Sequence, residues 1–273
     1  MGLWSYEGKR VVIAGCFSGM GEAAAQELVR LGAEVHGVDV RESKVPMASF
    51  RTVDLKDRAS IDAAVAGIGG EIDALFNCAG LPQTFPAEDV MTVNFIGMRH
   101  WTESWIPKIR KGGGVATIAS NAAYQYQNNL AALSEFVNGC PDWDSALAWV
   151  RANPDKVKDG YGFSKEAIVF YTLKRAAELA KQGVRLNVTL PSPTKTPMMD
   201  EFVKIAPKQV FDAFSEPTGR HSTPAEQAYP LLFLNMEAAA FVSGLALPVD
   251  GGFVGGIQTG VLDMQKLMAR AMA

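Results

Sequence analysis

Arg10-Val11-Val12-Ile13-Ala14-Gly15-Cys16-Phe17-Ser18-Gly19-Met20-Gly21 runs from an unbroken apolar stretch into a glycine-rich turn, and a helical period follows over Gly21–Leu31. Arg10–Ala14 has the β-branched composition of a strand buried on both faces. The glycines permit a tight turn and close backbone approach, and the helix start offers unpaired N–H groups to a pyrophosphate. Glycines alone also serve ordinary turns. The strand-turn-helix context makes Gly15, Ser18, Gly19, Met20 and Gly21 candidates for holding a dinucleotide.

The same alternation extends along the chain. Short apolar runs at Glu34–Asp39, Phe50–Asp54, Ala74–Cys78, Val115–Ala119, Arg185–Leu190 and Leu245–Val249 read as further strands. Helical periods cover Arg58–Gly67, Val90–Ile109, Tyr161–Lys181 and Ala225–Met236. Strands alternating with helices predict an α/β fold, a doubly wound parallel sheet with helices on both faces. No repeat or linker divides residues 1–273, so one domain is expected. It carries a helical insert at 121–160, with short helices at Leu130–Val137 and Trp143–Ala152, and a substrate loop at 192–224. The tail Gly260–Ala273 reads as an amphipathic helix with Val261, Leu262, Leu267 and Met268 on one face.

Composition narrows the partners. With 26 basic against 29 acidic residues the net charge is −3, so no basic excess exists to neutralise nucleic-acid phosphates. No apolar run is long enough to span a membrane, the N-terminus lacks a signal-peptide pattern, and Tyr6 occupies the position where a myristoylation signal wants Ser or Thr. Cys16, Cys78 and Cys140, with His36, His100 and His221, form neither a disulfide framework nor a metal-ligand spacing. A reduced, soluble, cytoplasmic protein without a metal is the expectation.

Several polar residues fall at strand ends. Asp39 lies 18 residues beyond Gly21, where a carboxylate meets adenosine ribose hydroxyls and repels a 2′-phosphate; this favours NAD over NADP. Asp54-Leu55 suits bracketing of an adenine ring, or a helix cap. The small residues of Asn77-Cys78-Ala79-Gly80 suit backbone lying against a cofactor, or a turn. Tyr161 and Lys165 share one helix face, and a nearby cation favours the phenolate, which lowers the phenol pKa from about 10 towards a useful range. Ser120 ends the fifth strand, on the edge where open α/β sheets bind ligands. Asn94 is polar within an otherwise apolar helix and suits ordering of a water or a kink. Past Pro191, Pro197, Met198, Met199, Phe202, Ile205, Phe211 and Phe214 suit a wall around a bulky apolar ligand, with Tyr124 and Tyr126 as a further wall; closing a core or a subunit contact is the competing role.

In this order, these elements resemble the short-chain dehydrogenase/reductase family across almost the whole chain. The family reads TGxxxGxG, a strand-end Asp, NNAG, a helical Asn, Ser and YxxxK. The resemblance implies a single Rossmann-like domain, NAD as cofactor, and a small-molecule alcohol or ketone as substrate. It implies Ser120, Tyr161 and Lys165 as the catalytic trio, Asn94 supporting a water-linked proton relay, and Lys165 also holding the nicotinamide ribose. Pro191-Ser192, Thr194 and Thr196 correspond to the segment near the nicotinamide carboxamide, and Val249-Asp250-Gly251-Gly252 to the last strand and its turn. A homo-oligomer, dimer or tetramer, is also implied. Ala14 replaces the family's Thr, Cys78 its second Asn, and Ser192 a Gly. The 41-residue step from Ser120 to Tyr161 exceeds the family's usual spacing. With Arg185-Leu186-Asn187 and the stretch from Gly37 to Arg41, it is similar to the bacterial 3α-hydroxysteroid dehydrogenase/carbonyl reductase subgroup. As substrate, a bulky apolar secondary alcohol or its ketone, a 3-hydroxysteroid among them, competes with an aromatic or alicyclic alcohol. The competing reading of another class is a dinucleotide-binding regulatory protein without catalysis, and the presence of Tyr161 and Lys165 weighs against it.

Overall fold

All seven apolar runs enter one sheet. In a computed structural model describing residues 2–272, the strands are β1 (Arg10–Ala14), β2 (Glu34–Asp39), β3 (Ser49–Thr52), β4 (Ile72–Asn77), β5 (Ile109–Ile118), β6 (Arg185–Pro191) and β7 (Ala246–Val249). They are parallel and ordered β3-β2-β1-β4-β5-β6-β7. Val12 and Ala14 of β1 enter one core and Val11 and Ile13 the other, which explains the unbroken apolar run.

The helices are α1 (Gly19–Arg30), α2 (Arg58–Ile68), α3 (Ala87–Met91), α4 (Met98–Trp105), α5 (Leu130–Gly139), α6 (Trp143–Ala152), α7 (Pro154–Val157), α8 (Tyr161–Leu179), α9 (Pro197–Phe202), α10 (Lys208–Ala213), α11 (Pro224–Asn235), α12 (Phe253–Gln258) and α13 (Met264–Met272). Leu28 of α1 and Leu231 of α11 pack one face of the sheet; Ile61 of α2, Trp101 of α4, Phe136 of α5 and Ile168 of α8 pack the other. The sheet is doubly wound, as the alternation predicts. Its chain reverses between β1 and β4, and a crevice opens beyond their carboxyl ends.

Four expectations need correction. The helix expected over Val90–Ile109 is instead α3, a π-helical turn at Thr92–Gly97, α4, and a short 3₁₀ turn at Ile106–Lys108; Ile109 already belongs to β5. The helix runs hard against the chain at Gly97, where a Cβ would stand 2.0 Å from the Leu55 carbonyl oxygen. β5 starts at Ile109, ahead of the expected Val115–Ala119, and runs through Gly112-Gly113-Gly114 because Gly113 lets β4 approach: a Cβ there would meet the Asp73 oxygen at 2.4 Å. The run expected as strand Phe50–Asp54 ends at Thr52, leaving Asp54 beyond the sheet. The tail helix is shorter, α13, with α12 before it; Leu262, Leu267 and Met268 pack with Phe214 and Phe253, whereas Val261 is exposed. Met1 and Ala273, the last residue of the expected tail helix, lie outside the described residues. Among those described, no helix is long and apolar enough to cross a membrane.

Arg185 shows how the sheet is tied to α11. Buried at the start of β6, its guanidinium donates to the carbonyls of Leu234, Asn235, Met236 and Ala239. These are orphan acceptors at and after a helix C-terminus, where a cation is also favoured by the helix dipole. Tyr6 donates to Leu232 in the same turn at 2.6 Å. Arg185→Met keeps most of the volume but strands the acceptors. It is expected to lower stability by about 3 kcal/mol, read as a lower urea midpoint at constant m; an unchanged midpoint would refute this.

Candidate active site

The glycine turn is built by close approach. Gly15 has φ +85°, and a Cβ on it would lie 2.3 Å from the Ala79 nitrogen; a Cβ on Gly21 would lie 1.8 Å from the Gly15 oxygen. β1 is gripped from both sides, Gly15 N donating to Val38 and Cys78 N to Ala14, each at 2.8 Å. Ser18, the residue preceding α1, makes no side-chain hydrogen bond to the first turn. Those N–H groups are left for an external anion.

A cleft of about 570 Å³ opens above this floor. Gly15, Ser18, Gly19, Met20, Gly21, Asp39, Asp54, Leu55, Cys78, Ala79, Gly80 and Thr196 all line it. Asp39 accepts from the Phe17 N–H at 3.0 Å and the Arg41 N–H at 3.2 Å, which pins its carboxylate at the rim. Arg41 lies 3.9 Å over the Phe17 ring. Asp54 accepts from Lys56 N at 2.8 Å, whereas the cap of α2 is Asp57. The glycine floor, the open helix start and the rim carboxylate suit a dinucleotide along the sheet edge.

Other expected residues lie elsewhere. Asn77 is buried in the sheet, its amide donating to Thr102 at 2.9 Å and Thr117 at 3.1 Å, and it does not line the cleft. Pro191 ends β6, and Ser192 N donates to Val249. Buried Thr194 donates to the Ser192 carbonyl and bonds Ser222, so it braces the loop from within. Sequence reading missed Leu81, Pro82, Phe85 and Val93, which add an apolar wall. Their only signal was their position after the Asn77–Gly80 turn.

The polar groups at the far end converge on α8. Gly160, at φ +80°, turns the insert back into Tyr161; a Cβ there would strike the Ala87 oxygen at 2.7 Å. Asp159 accepts from Tyr161 N at 2.9 Å. The Ser120 hydroxyl accepts from Ala122 N at 3.1 Å and lies near enough to the Tyr161 phenol to favour its ionised form, so the long insert leaves the two together. Lys165, one turn along, is 3% exposed; its Nζ lies 5.5 Å from the Tyr161 ring centre and 3.5 Å from the Ile118 carbonyl. Asn94 sits in the π-helical turn, with Oδ1 accepting from Leu81 N at 2.7 Å and Nδ2 donating to the Leu81 carbonyl and Ser164 Oγ. Gly80 stays bare between them: a Cβ would be 3.3 Å from Asn94 Oδ1 and 3.4 Å from Lys165 Nζ.

The electrostatics reverse one expectation. Burial raises the Tyr161 phenol to about 12, with the Ser120 hydroxyl opposing and Asp159 reinforcing. Burial also pulls Lys165 down to about 8. Lys165 does not lower the phenol's titration because it has already lost its own charge by about pH 8, before the phenol's range is reached. At neutral pH the phenol carries its proton.

Comparison with known proteins agrees. The family described as "short chain dehydrogenase" matches residues 9–134, and that described as "Enoyl-(Acyl carrier protein) reductase" matches residues 145–254. A 3-alpha-hydroxysteroid dehydrogenase/carbonyl reductase of Comamonas testosteroni is 30% identical over 249 residues, covering 89% of this chain and 95% of the relative. A coniferyl-alcohol dehydrogenase of a Pseudomonas species is 29% identical over 245 residues, covering 89% and 96%. The crystal structure of the 3-alpha-hydroxysteroid dehydrogenase from Pseudomonas sp. B-0831 complexed with NADH superposes with a TM-score of 0.77 at 26% identity, covering 93% of this chain and all of that one. Sheet order, cleft and likeness over nearly the full length agree: the chain belongs to the short-chain dehydrogenase/reductase family.

Proposed function

We propose that this NAD-dependent oxidoreductase interconverts a bulky, mainly apolar secondary alcohol and its ketone, with a 3-hydroxysteroid and 3-ketosteroid pair as the leading candidates. The observation that carries this reading is the aromatic wall beside the phenol: the Phe202 ring stands edge-on to Tyr161 at 5.2 Å, and Phe211 stacks on Phe202 at 5.8 Å. Flat apolar rings next to a proton carrier suit a polycyclic substrate. The likeness to two hydroxysteroid dehydrogenases supports the same reading. A second reading, an aromatic alcohol, draws on the coniferyl-alcohol dehydrogenase likeness. Tyr124 is not part of this wall, because it packs with Phe214 and Phe253; Tyr126 packs on the main core.

Tyr161 is the proton carrier. In reduction its hydroxyl gives a proton to the carbonyl oxygen, and in oxidation it takes one from the alcohol. Ser120 holds the reacting oxygen. Lys165, still largely protonated at neutral pH, steadies the negative charge that develops on the phenol, and it holds the cofactor ribose. Asn94 supports the proton path by fixing Leu81 and Ser164 around it. NAD, when bound along the cleft, would accept the hydride in oxidation and, as NADH, return it in reduction; Ser18 and Gly19 would hold its pyrophosphate and Asp39 its ribose. Leu3, Trp4, Tyr229 and Phe241 are large apolar side chains left exposed, in keeping with a homo-oligomer.

Tyr161→Phe is expected to cut kcat by about 10²–10⁴-fold with NAD affinity retained; near-normal turnover would remove the phenol from the mechanism. Since the phenol keeps its proton until about pH 12 and Lys165 keeps its charge until about pH 8, ketone reduction should stay level from about pH 5 to about pH 7 while alcohol oxidation rises with the phenolate fraction. Oxidation that falls over that interval contradicts the assignment. Asp39→Ala should narrow the preference for NAD over NADP, measured as a ratio of kcat/KM values; equal use of both by the unaltered protein would defeat the ribose assignment. Across a substrate panel, each buried methylene adds about 0.8 kcal/mol, so a rigid polycyclic secondary alcohol should exceed a small hydroxy acid in kcat/KM by orders of magnitude. The reverse order would overturn the substrate class.

A further inference from the structure

We propose that a second cavity, sharing no lining residue with the dinucleotide cleft, binds a small organic anion through Lys195 and Ser215. It encloses about 640 Å³ between α10, the turn at 214–221 and α13, within the range of small-molecule sites. Neither Ser120, Tyr161 nor Lys165 lines it.

Charge sets the ligand's sign. Four cationic side chains line the cavity, Lys195, Lys208, Arg220 and Arg270, against two carboxylates, Asp212 and Glu216. The region is therefore locally positive in a chain whose net charge is −3. Both carboxylates are already matched. Lys208 donates to Asp212 at 2.6 Å, with His221 Nε2 2.8 Å from the same group, and Arg270 donates to Glu216 at 2.9 Å. Arg220 is paired with Glu226, which does not line the cavity, at 2.6 Å. Among the described residues Lys195 has no ion-pair partner.

An independent observation points to the same place. Ser215 is 3% exposed, lines the cavity, and its hydroxyl has no hydrogen-bond partner among the described residues. A buried hydroxyl without a partner is destabilising, and a ligand oxygen would satisfy it. Ala213, Leu267 and Ala271 give the cavity an apolar wall as well. The ligand this set would recognise is a carboxylate or phosphate carried on a compact apolar body. Lys195 N donates to the Ser222 carbonyl at 2.9 Å, beside the single bridge between Thr194 and Ser222. Thr196 faces the dinucleotide cleft and Lys195 this cavity.

The test is calorimetry on the NADH-saturated protein, so that the glycine turn cannot capture the probe. Benzoate and phenyl phosphate are titrated, with benzamide as the neutral counterpart. At least one anion should bind ten or more times more tightly than benzamide. Lys195→Ala and Ser215→Ala should each weaken it by about tenfold, with unliganded kcat unchanged. Lys195→Ala should leave the melting temperature in place, and Ser215→Ala, which removes an unpartnered buried hydroxyl, should not lower it. Benzoate binding alone identifies a carboxylate ligand, and phenyl phosphate alone a phosphate; either supports the site. Binding of neither anion, binding no tighter than benzamide, or affinity unmoved by Lys195→Ala overturns the proposal.

Discussion

The site depends on backbone meeting backbone with no side chain between. At the carboxyl ends of β1 and β4 the chain passes so close that Gly15 and Gly21 leave no room for a Cβ, against Ala79 and the Gly15 carbonyl respectively. This lowers the start of α1 onto the sheet edge and forms the cleft floor. The parallel order then does the rest, because every strand carboxyl end faces the same way. Asp39 from β2, Cys78 to Gly80 after β4, Ser120 after β5 and Thr196 after β6 are thus brought to one edge, though they span more than half of the sequence.

At the chemical end the governing term is burial. Placing a phenol and an ammonium in one enclosed corner penalises both ionised forms, so Tyr161 moves up and Lys165 moves down. The pair is poised as a proton donor and a cation close to neutrality. This arrangement suits carbonyl reduction at neutral pH and alcohol oxidation at higher pH. The Ser120 hydroxyl favours the phenolate and opposes the burial effect.

Much of the fold was legible because parallel strands buried on both faces announce themselves as apolar runs. The glycine turn, Asp39 and the Tyr161–Lys165 spacing were legible for a related reason: each sits at a strand end or one helix turn apart. What escaped depends on contacts distant in sequence. Nothing local to Gly112-Gly113-Gly114 reveals that β4 needs that close approach, so the apolar run marks only Val115–Ala119 of a strand that starts at Ile109. The π-helical turn at Asn94 answers to Leu81, 13 residues away, and to Ser164, 70 away. Asn77 sits in a motif that suggests cofactor contact, yet its amide is used between sheet and helix, a choice made by Thr102 and Thr117. The direction of the Tyr161 shift was misread because proximity to a cation can be inferred from spacing, whereas depth of burial cannot.

The central claim is that one cofactor spans from the rim at Asp39 to the phenol of Tyr161. The most direct measurement is the crystal structure of this chain with NADH bound. The account predicts the pyrophosphate over Ser18 and Gly19, the adenosine ribose against Asp39, and the nicotinamide beside Tyr161 and Lys165. A nicotinamide lying away from Tyr161, or NADH seated outside this cleft, would contradict it.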